Sequence, residues 1–409
     1  MVGALGEGLG NVETVRRLVL LVCSIVLVDA MLFTALAPLV PGYADEFDLG
    51  KAGAGLLVGA FGAGALFGGV PGGLAAARFG PKRAVVLGLL LLALASLAFA
   101  LAGGAWTLGL ARFVQGFAST TTWAGALAWL TMETPRSRRG ELIGTAFGAA
   151  VFGAVIGPVF GAVAEAISIR GVFATVALAA LVFAGVAQLH PSTPPERQRH
   201  GSVRLAFRDS RFVGGLWLNL LPALLFGLIA VLVPLRLDEG GYGVLAIGFL
   251  FFAAGLIETA VNPLLGRFSD RRGRLLPIRA ALAASVAVAA ALAVTRDPAL
   301  VMVLTTLAAV SFGGFYTPGM ALVSDRAETV GLSQGLGFGI MNTAWAAGNM
   351  TGPVAGGALA EAAGDWLPYG LAALLCLLTL FASFRVRLAA GSAGAPTGHP
   401  AGASSSACR

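Results

Sequence analysis

The 409-residue chain has few charged side chains and few of the residues that enzymes and metal sites use. Asp, Glu, Lys and Arg make up 11% of the sequence, against about 25% in soluble domains. The three cysteines, Cys23, Cys376 and Cys408, have no metal-ligand spacing, so no disulfide framework or thiolate metal site is predicted. All three histidines lie outside the apolar runs, which argues against a histidine proton relay within them.

Apolar residues and glycine take the place of the missing charge. The sequence is 57% hydrophobic, its mean hydropathy is +0.86, and it contains 58 glycines. Its apolar runs are long enough to cross a hydrocarbon core of about 30 Å, and abundant glycine favours close packing of helices in lipid. The composition therefore predicts a polytopic membrane protein in contact with lipid.

Twelve apolar segments, six on each side of a polar linker, predict an all-α membrane protein of two pseudo-symmetric six-helix bundles. The predicted division of the chain is an N-terminal bundle over 1–190, a cytoplasmic linker over 191–211, a C-terminal bundle over 212–388 and a disordered cytoplasmic tail over 389–409. Residues 1 to 15, at the start of the first bundle, are predicted to be a short polar leader before the first span.

The positions of the basic residues predict the orientation in the membrane. With both termini inside, 22 of the 27 lysines and arginines fall on the cytoplasmic side, and Lys51, Arg170, Arg236 and Arg296 fall outside. This bias follows the positive-inside rule and predicts a multi-pass protein of the cell inner membrane. The same clustering in short loops explains the net charge of +7, so nucleic acid is not an expected partner.

A glycine- and proline-containing motif occurs once in each half. Gly153-Ala-Val-Ile-Gly-Pro-Val-Phe-Gly161 in the fifth span returns as Gly348-Asn-Met-Thr-Gly-Pro-Val-Ala-Gly356 in the eleventh, 195 residues later. We expect these segments to pack tightly against the other half and to act as a hinge or seal. The residues assigned to gating on this basis are Gly153, Gly157, Pro158, Gly161, Gly352 and Pro353.

A second pair of motifs confirms the duplication. Gly73-Leu-Ala-Ala-Ala-Arg-Phe-Gly-Pro-Lys-Arg83 follows the second span, and Gly266-Arg-Phe-Ser-Asp-Arg-Arg-Gly-Arg274 follows the eighth, at an offset of 193 residues. Two motifs at nearly equal offsets predict parallel repeats about an axis along the membrane normal.

These loops resemble the Gly-x-x-x-Asp-Arg-x-Gly-Arg motif of the major facilitator superfamily, and the resemblance extends to Leu388. In that family the loop is understood to latch the cytoplasmic side, but Ala77 stands here where the family usually has the acid. The resemblance therefore assigns the latch to Arg78, Asp270, Arg271 and Arg274. The alternative is that these arginines belong only to positive-inside turns.

Two further segments resemble the antiporter branch of this family, chiefly drug:proton antiporters. They are the Gly-Pro motif of the fifth span and Leu108-Gly-Leu-Ala-Arg-Phe-Val-Gln-Gly116 in the fourth. The first span, Val28 to Pro41, is similar to that of bacterial multidrug antiporters and vesicular amine transporters. In those relatives the acid near Asp29 is associated with cation recognition or proton coupling.

Within the predicted spans, the side chains that are normally charged at neutral pH are those of Asp29, Arg112 and Glu258. Each such charge costs roughly 2.5–3.5 kcal/mol at a helix centre, which favours a function. We predict proton coupling at all three residues: Asp29 binds a cation when ionised and releases it when protonated. The alternatives are a structural hydrogen bond for Asp29 and a solvated cavity rim for Glu258. Arg112 either holds Asp29 ionised, pairs with glutamine and backbone carbonyls, or extends to the outer interface.

The family resemblance places the substrate pocket between spans 1, 4, 7, 10 and 11. Aromatic side chains there suit apolar or cationic ligands, although most aromatics in a membrane bundle serve packing or face lipid. The substrate-binding candidates are Asp29, Phe33, Trp123, Trp217, Asn219, Tyr316, Asn342 and Trp345.

Together these features predict a proton-coupled efflux antiporter that exports small lipophilic or cationic compounds by alternating access. The partners expected are a small-molecule substrate and protons, no cofactor or metal is predicted, and we expect a monomer. One alternative is a transporter of a specific metabolite such as a sugar or amino acid, and another is a non-transporting receptor. No nucleophile, metal cluster or phosphate-binding loop is recognisable, so an enzyme is not predicted.

Overall fold

The computed structural model describes residues 2–134, 138–191, 203–272, 275–330, 332 and 334–392, and these residues form helices without any strand. In the N-terminal half the helices are α1 (Val2–Thr34), α2 (Val40–Glu46), α3 (Lys51–Phe79), α4 (Pro81–Ala100), α5 (Ala105–Glu133), α6 (Arg139–Ile167) and α7 (Ile169–Leu189). A short helix α8 (Val203–Ala206) precedes α9 (Ser210–Glu239), α10 (Val244–Arg272), α11 (Leu275–Val294), α12 (Pro298–Gly313), α13 (Tyr316–Thr329), α14 (Gln334–Ala363) and α15 (Trp366–Ser392).

The predicted fold class is confirmed. Within the described part of the chain, ten helical stretches are long and apolar enough to cross a membrane. Helices α5 and α14, of 29 and 30 residues, are equally long but richer in polar side chains, and they bring the described spans to the predicted twelve. Helix α1 begins at Val2, so the segment predicted as a polar leader is helical, and α15 continues to Ser392. The rest of the predicted tail and most of the linker lie outside the described residues.

Among the described residues, two pairs of helices make the most extensive contacts between the halves. Helix α3 packs against α14, and α6 packs against α10. At the α3–α14 contact Gly62 lies against the backbone of Asn349 and Met350, and Gly59 lies against Val354. Glycine lets the two backbones approach closely. These contacts begin at the end of the bundle where α3 starts at Lys51, and we call this the sealed end.

The Gly-Pro motifs do not face the neighbours that the sequence predicted. Gly153, Gly157 and Gly161 lie against the backbone of the first span, within the same half, at Leu27, Met31 and Ala35. Their counterparts in α14, Gly348 and Gly352, lie against α9, also within their own half. The reason is helical periodicity: glycines four residues apart share one face, and the prolines beside them lie on the next face. The carbonyl groups of the prolines face the other half, that of Pro158 toward Gly248 and that of Pro353 toward Gly55, whereas the ring of Pro353 packs against Gly227 of α9.

Two spans are broken near proline. The first span is interrupted after Thr34 by a 3-10 turn, Ala37–Leu39, which contains Pro38. The tenth span is interrupted between α12, which ends at Gly313, and α13, which begins at Tyr316 and contains Pro318. A proline has no N–H for the carbonyl four residues before it, so each break leaves backbone acceptors that need another partner.

Helices α3 and α5 contact each other through a reciprocal pair of glycines, which gives a first testable prediction. A Cβ on Gly116 would meet the carbonyl of Phe61, and one on Gly64 would meet the carbonyl of Phe113. Gly116→Ala should therefore destabilise the protein by about 1–3 kcal/mol through overpacking. Gly109→Ala is the matched control, because Gly109 lies on the same helix with open space around it. Thermal unfolding of both variants in detergent measures the difference, and equal melting temperatures would contradict the prediction.

Candidate functional site

Asp29 is buried in the middle of the first span and is hydrogen-bonded to α5. Its Oδ2 accepts hydrogen bonds from Ser119 Oγ at 2.7 Å and from Trp123 Nε1 at 2.9 Å. The side chain is only 4% exposed. Both donors are neutral. The hydrogen bonds therefore orient the carboxyl group, but no cationic side chain is bonded to it when it is ionised.

Arg112 satisfies the carbonyls of the first break. Its Nη1 donates to Leu32 O at 3.2 Å and to Gln115 Oε1 at 3.0 Å, and its Nη2 donates to Phe33 O at 3.2 Å. Those carbonyls lie in the last turn of α1, where no intrahelical donor follows, and a cation is also favoured there by the helix dipole. Of the roles predicted for Arg112, pairing with glutamine and backbone carbonyls is the one observed. At 2% exposure it does not extend to an interface.

The same arginine also stacks on an aromatic cluster that joins the halves. Its guanidinium lies 4.9 Å from the ring centre of Phe61, whose ring lies 4.9 Å from that of Phe33. Trp345 of α14 completes the cluster at 5.3 Å from Phe33. Two predicted pocket residues, Phe33 and Trp345, are thus brought together from opposite halves, close to the first break.

The other predicted pocket residues are distributed over the C-terminal half. Trp217 donates from Nε1 to Thr379 Oγ1 of α15 at 2.9 Å, so it faces that helix and does not join the cluster around Phe33. Asn219 is fully buried in α9, and Asn342 is half-buried on α14. Tyr316 begins α13 at the second break.

Glu258 lies against this second break. A Cβ on Gly313 would stand 2.8 Å from Cδ of Glu258, so the carboxyl group touches the backbone of the tenth span. It is hydrogen-bonded to Asn262 and interacts electrostatically with Tyr316. Glu258 is the fifteenth residue of the 29-residue α10, as Ser119 is of the 29-residue α5. Both helices start at the sealed end, so Glu258 and the Asp29 site lie at a similar depth, about 21 Å along the helices.

A charged clasp closes the sealed end. Lys51 Nζ of the N-terminal half lies 2.8 Å from Asp365 Oδ1, and Arg236 Nη2 lies 2.8 Å from Asp365 Oδ2. The carboxylate of Glu361 accepts a hydrogen bond of 2.9 Å from Ala52 N at the start of α3. Burial raises the pKa of Asp365, but hydrogen bonds and charges from Lys51 and Arg236 outweigh burial and hold the pKa below its ordinary value.

The clasp gives a second prediction. Asp365→Asn should increase the population of forms separated at the sealed end by about tenfold or more, because hydrogen bonds to charged groups contribute about 1.5–3 kcal/mol. Spin labels on cysteines introduced at the exposed glycines Gly103 and Gly243, in a background without the native cysteines, would report the distance between the halves. We expect a longer distance component in Asp365→Asn, but not in Asp297→Asn, where the side chain only caps α12.

The clasp should also depend on pH in one direction. Because the folded pKa of Asp365 is depressed, its stabilisation is complete above the ordinary aspartate pKa of about 3.9. It is lost as the pH falls through the lower folded value. The effect of Asp365→Asn on the label distance should therefore be the same at every pH from 8 to about 5, and an effect that changes within this window would contradict the assignment.

The loop motif is only partly visible. Arg78 is exposed, and its guanidinium lies 5.7 Å from the ring centre of Phe79. Lys82 fastens the α3–α4 turn to the end of α7 through the carbonyls of Gln188 and His190, at 2.6 and 2.7 Å. Arg274 lies outside the described residues, and the side chains of Asp270 and Arg271 are not among those described. The latch assigned to them stays a prediction.

Some residues of these sites were not predicted, although the sequence contains patterns that indicate them. Ser119 lies one helical turn before Trp123, on a face that also includes Gln115 and Arg112. Pro38 and the Gly313-Gly314 pair mark the two breaks. Lys51 and Asp365 are 314 residues apart, and no local pattern links them.

Comparison with known proteins identifies the family. The model of the Major Facilitator Superfamily matches residues 22–336. Curated relatives include a probable vesicular acetylcholine transporter-A of Danio rerio, 30% identical over 32% of this chain and 26% of that protein. The vesicular acetylcholine transporter of Drosophila melanogaster is 28% identical over 38% of this chain and 27% of that protein. The alignments thus span only about a quarter of these relatives.

A solved structure agrees over nearly the whole length. A bacterial homologue of the human lysosomal transporter Spinster, in an inward-facing and unoccupied conformation, superposes with a TM-score of 0.71 at 16% identity, over 93% of this chain and 98% of that one. The same homologue in an inward-facing and occupied conformation gives 0.71 over 91% and 96%. At this identity the match concerns the fold alone. The family model, which covers more than half of the sequence, shows that this chain belongs to the Major Facilitator Superfamily of transporters.

Proposed function

We propose that this transporter is a proton-coupled antiporter that exports small cationic or lipophilic compounds by alternating access. The observation that carries the proposal is the carboxyl group of Asp29, buried in mid-bundle and held by two neutral donors. A carboxylate at this depth is stable when it holds a proton or a cation. Since the two compete for one group, release of a proton and binding of a cationic substrate are coupled there.

The surroundings of Asp29 support an organic cation. Trp123, which donates to Asp29, contacts Phe147 with ring centres 5.3 Å apart, and aromatic faces attract cations. Arg112 interacts electrostatically with Asp29, but among the described residues its hydrogen bonds go to Leu32, Phe33 and Gln115. The curated relatives are vesicular acetylcholine transporters, and acetylcholine is an organic cation.

The distribution of basic residues supports the direction of transport. We place the basic loops in the cytoplasm of a cell with the protein in its inner membrane, because the predicted topology assigns 22 of the 27 basic residues to that side. The sealed end, with the clasp of Lys51 and Asp365, then faces outward. In this arrangement the state described here would load substrate from the cytoplasm, as export requires.

Transport by purified protein in liposomes tests the proposal. With an imposed pH gradient we expect accumulation of tetraphenylphosphonium and of acetylcholine, collapsing when an ionophore removes the gradient. Gradient-driven movement of sugars or amino acids alone would favour a specific metabolite transporter instead. Saturable binding without flux would identify a receptor, and either result would reject the antiporter.

A further inference from the structure

The two broken spans have opposite electrostatic surroundings. In the N-terminal half the break after α1 is met by a cation, since Arg112 donates to the carbonyls of Leu32 and Phe33. In the C-terminal half the break after α12 is met by the carboxyl group of Glu258, which lies against Gly313. A carboxylate cannot donate to backbone carbonyls, and the C-terminal end of a helix already carries partial negative charge.

At the second break, hydrogen-bond acceptors lie close together, and no cationic side chain is described beside them. The carbonyl of Gly314 cannot be met by an N–H from Pro318, the residue four positions on. Glu258 is hydrogen-bonded to Asn262 and lies near Tyr316, both neutral. No ion pair among the described residues includes Glu258. In contrast to the first break, the chain supplies no described positive charge to this one.

Asn219 is a second, independent sign of a missing ligand. It is 0% exposed, and neither its Nδ2 nor its Oδ1 has a hydrogen-bond partner among the described residues. Its face of α9 packs on the broken span, because Gly215, one turn earlier, lies against Gly319 and Val323. The antiparallel register places Asn219 within about one turn of the break. A buried amide without partners requires an explanation, and a bound water or ion is one that fits here.

We propose that the break between α12 and α13 binds a small monovalent inorganic cation, Na⁺ in the first instance. Glu258 would supply the single negative charge, and oxygens of Asn262, Tyr316 and the last turn of α12 would complete the site. Unwound carbonyls at broken helices are the ligands that bind Na⁺ in other transporter folds. One carboxylate matches one positive charge, and the described residues contain no group of three acidic, His or Cys ligands for a metal ion.

The close contact of Glu258 with Gly313 argues for an ion of small size. The carboxyl group touches the helix backbone at Gly313, so no ion lies between them. Only a bare ion can coordinate neighbouring oxygens of both from one side, because an organic ammonium group is too large to do so. This site is separate from Asp29, which lies in the other half and bonds to α5. The proposal therefore stands or falls independently of proton coupling at Asp29.

Binding of ²²Na⁺ to the purified full-length protein in detergent tests this site. With N-methylglucamine chloride holding ionic strength constant, we expect saturable binding that weakens at least tenfold in Glu258→Gln. Asp297→Asn, whose aspartate caps the start of α12, is the matched control and should bind Na⁺ as the wild type does. Na⁺ should also raise the melting temperature of the wild type and of Asp297→Asn, but not of Glu258→Gln.

Milder variants keep the test valid if Glu258→Gln does not fold. Glu258→Asp retains the charge but shortens the reach, and Asn262→Leu removes one oxygen; each should weaken binding of ²²Na⁺. Absence of saturable binding in the wild type, or binding unchanged in all three variants, would overturn the proposal. So would displacement of ²²Na⁺ by tetramethylammonium that is lost in the Glu258 variants, because the occupant would then be an organic cation.

Discussion

Asp29→Asn is expected to lower efflux driven by a pH gradient by about 100-fold or more, because the group that exchanges proton for cation can no longer ionise. Asparagine has nearly the same shape, and its side-chain oxygen can still accept hydrogen bonds from Ser119 and Trp123, which bond to Asp29 Oδ2 in the native protein. The bundle should therefore fold and reach the membrane as before. The measurement is the initial rate of tetraphenylphosphonium accumulation in proteoliposomes under a fixed pH gradient.

Two further variants distinguish loss of proton coupling at Asp29 from a general loss of folding or transport. Trp123→Phe removes one donor but keeps the carboxylate and an aromatic ring, so it should reduce the rate much less than Asp29→Asn. Asp297→Asn changes an aspartate that caps α12, and asparagine caps a helix nearly as well, so transport should not change. The proposed coupling is wrong if Asp29→Asn retains pH-driven efflux at the wild-type rate.

A further distinction lies in the pH dependence of substrate exchange. Asp29→Asn carries no charge at any pH, so exchange of a neutral lipophilic substrate across the membrane without a gradient should persist and become independent of pH. Exchange of a permanent cation should weaken, because the negative partner is absent. If both kinds of substrate lose exchange equally, Asn at this position has damaged the transport cycle rather than its coupling.

The sequence predicted the fold and the existence of the charged site because both depend on local composition. Apolar runs of sufficient length require membrane helices, and Asp29, Arg112 and Glu258 are conspicuous because charge in such runs is costly. The sequence also placed Phe33, Trp345 and Tyr316 among the site residues, and the structure brings them to the two breaks.

The helix contacts and hydrogen bonds that were not predicted depend on which neighbouring helix packs against each helix face. The spacing of Gly153, Gly157 and Gly161 predicts one small-residue face, but it does not specify whether α1 or the other half packs there. In the same way, the sequence shows that Arg112 and Asp29 are present, but it does not show that they are not bonded to each other. The guanidinium of Arg112 instead donates to the carbonyls of Leu32 and Phe33 at the end of α1. That geometry arises only because α1 ends at Thr34 and leaves the carbonyls of its last turn for the arginine to bind.

Loss of Arg112 should have the largest effect on stability. Arg112→Met removes three hydrogen bonds and leaves the carbonyls of Leu32 and Phe33 buried without donors, at a cost of about 3–5 kcal/mol. Arg112→Lys keeps the charge, but one ammonium group cannot reproduce the planar fork that reaches both carbonyls and Gln115. We therefore expect an intermediate loss for Arg112→Lys, measured as the melting temperature in detergent.

Arg279 offers a matched control within the same chain. It too donates to a backbone carbonyl and a hydroxyl, both of Ser383, and its guanidinium lies 4.0 Å from the ring centre of Phe384. Because Arg279 is half-buried, water can replace its hydrogen bonds, and Arg279→Met should cost much less than Arg112→Met. Equal losses for the two variants would show that Arg112 is not needed to satisfy the break in the first span. Its place beside Asp29 would then concern charge alone.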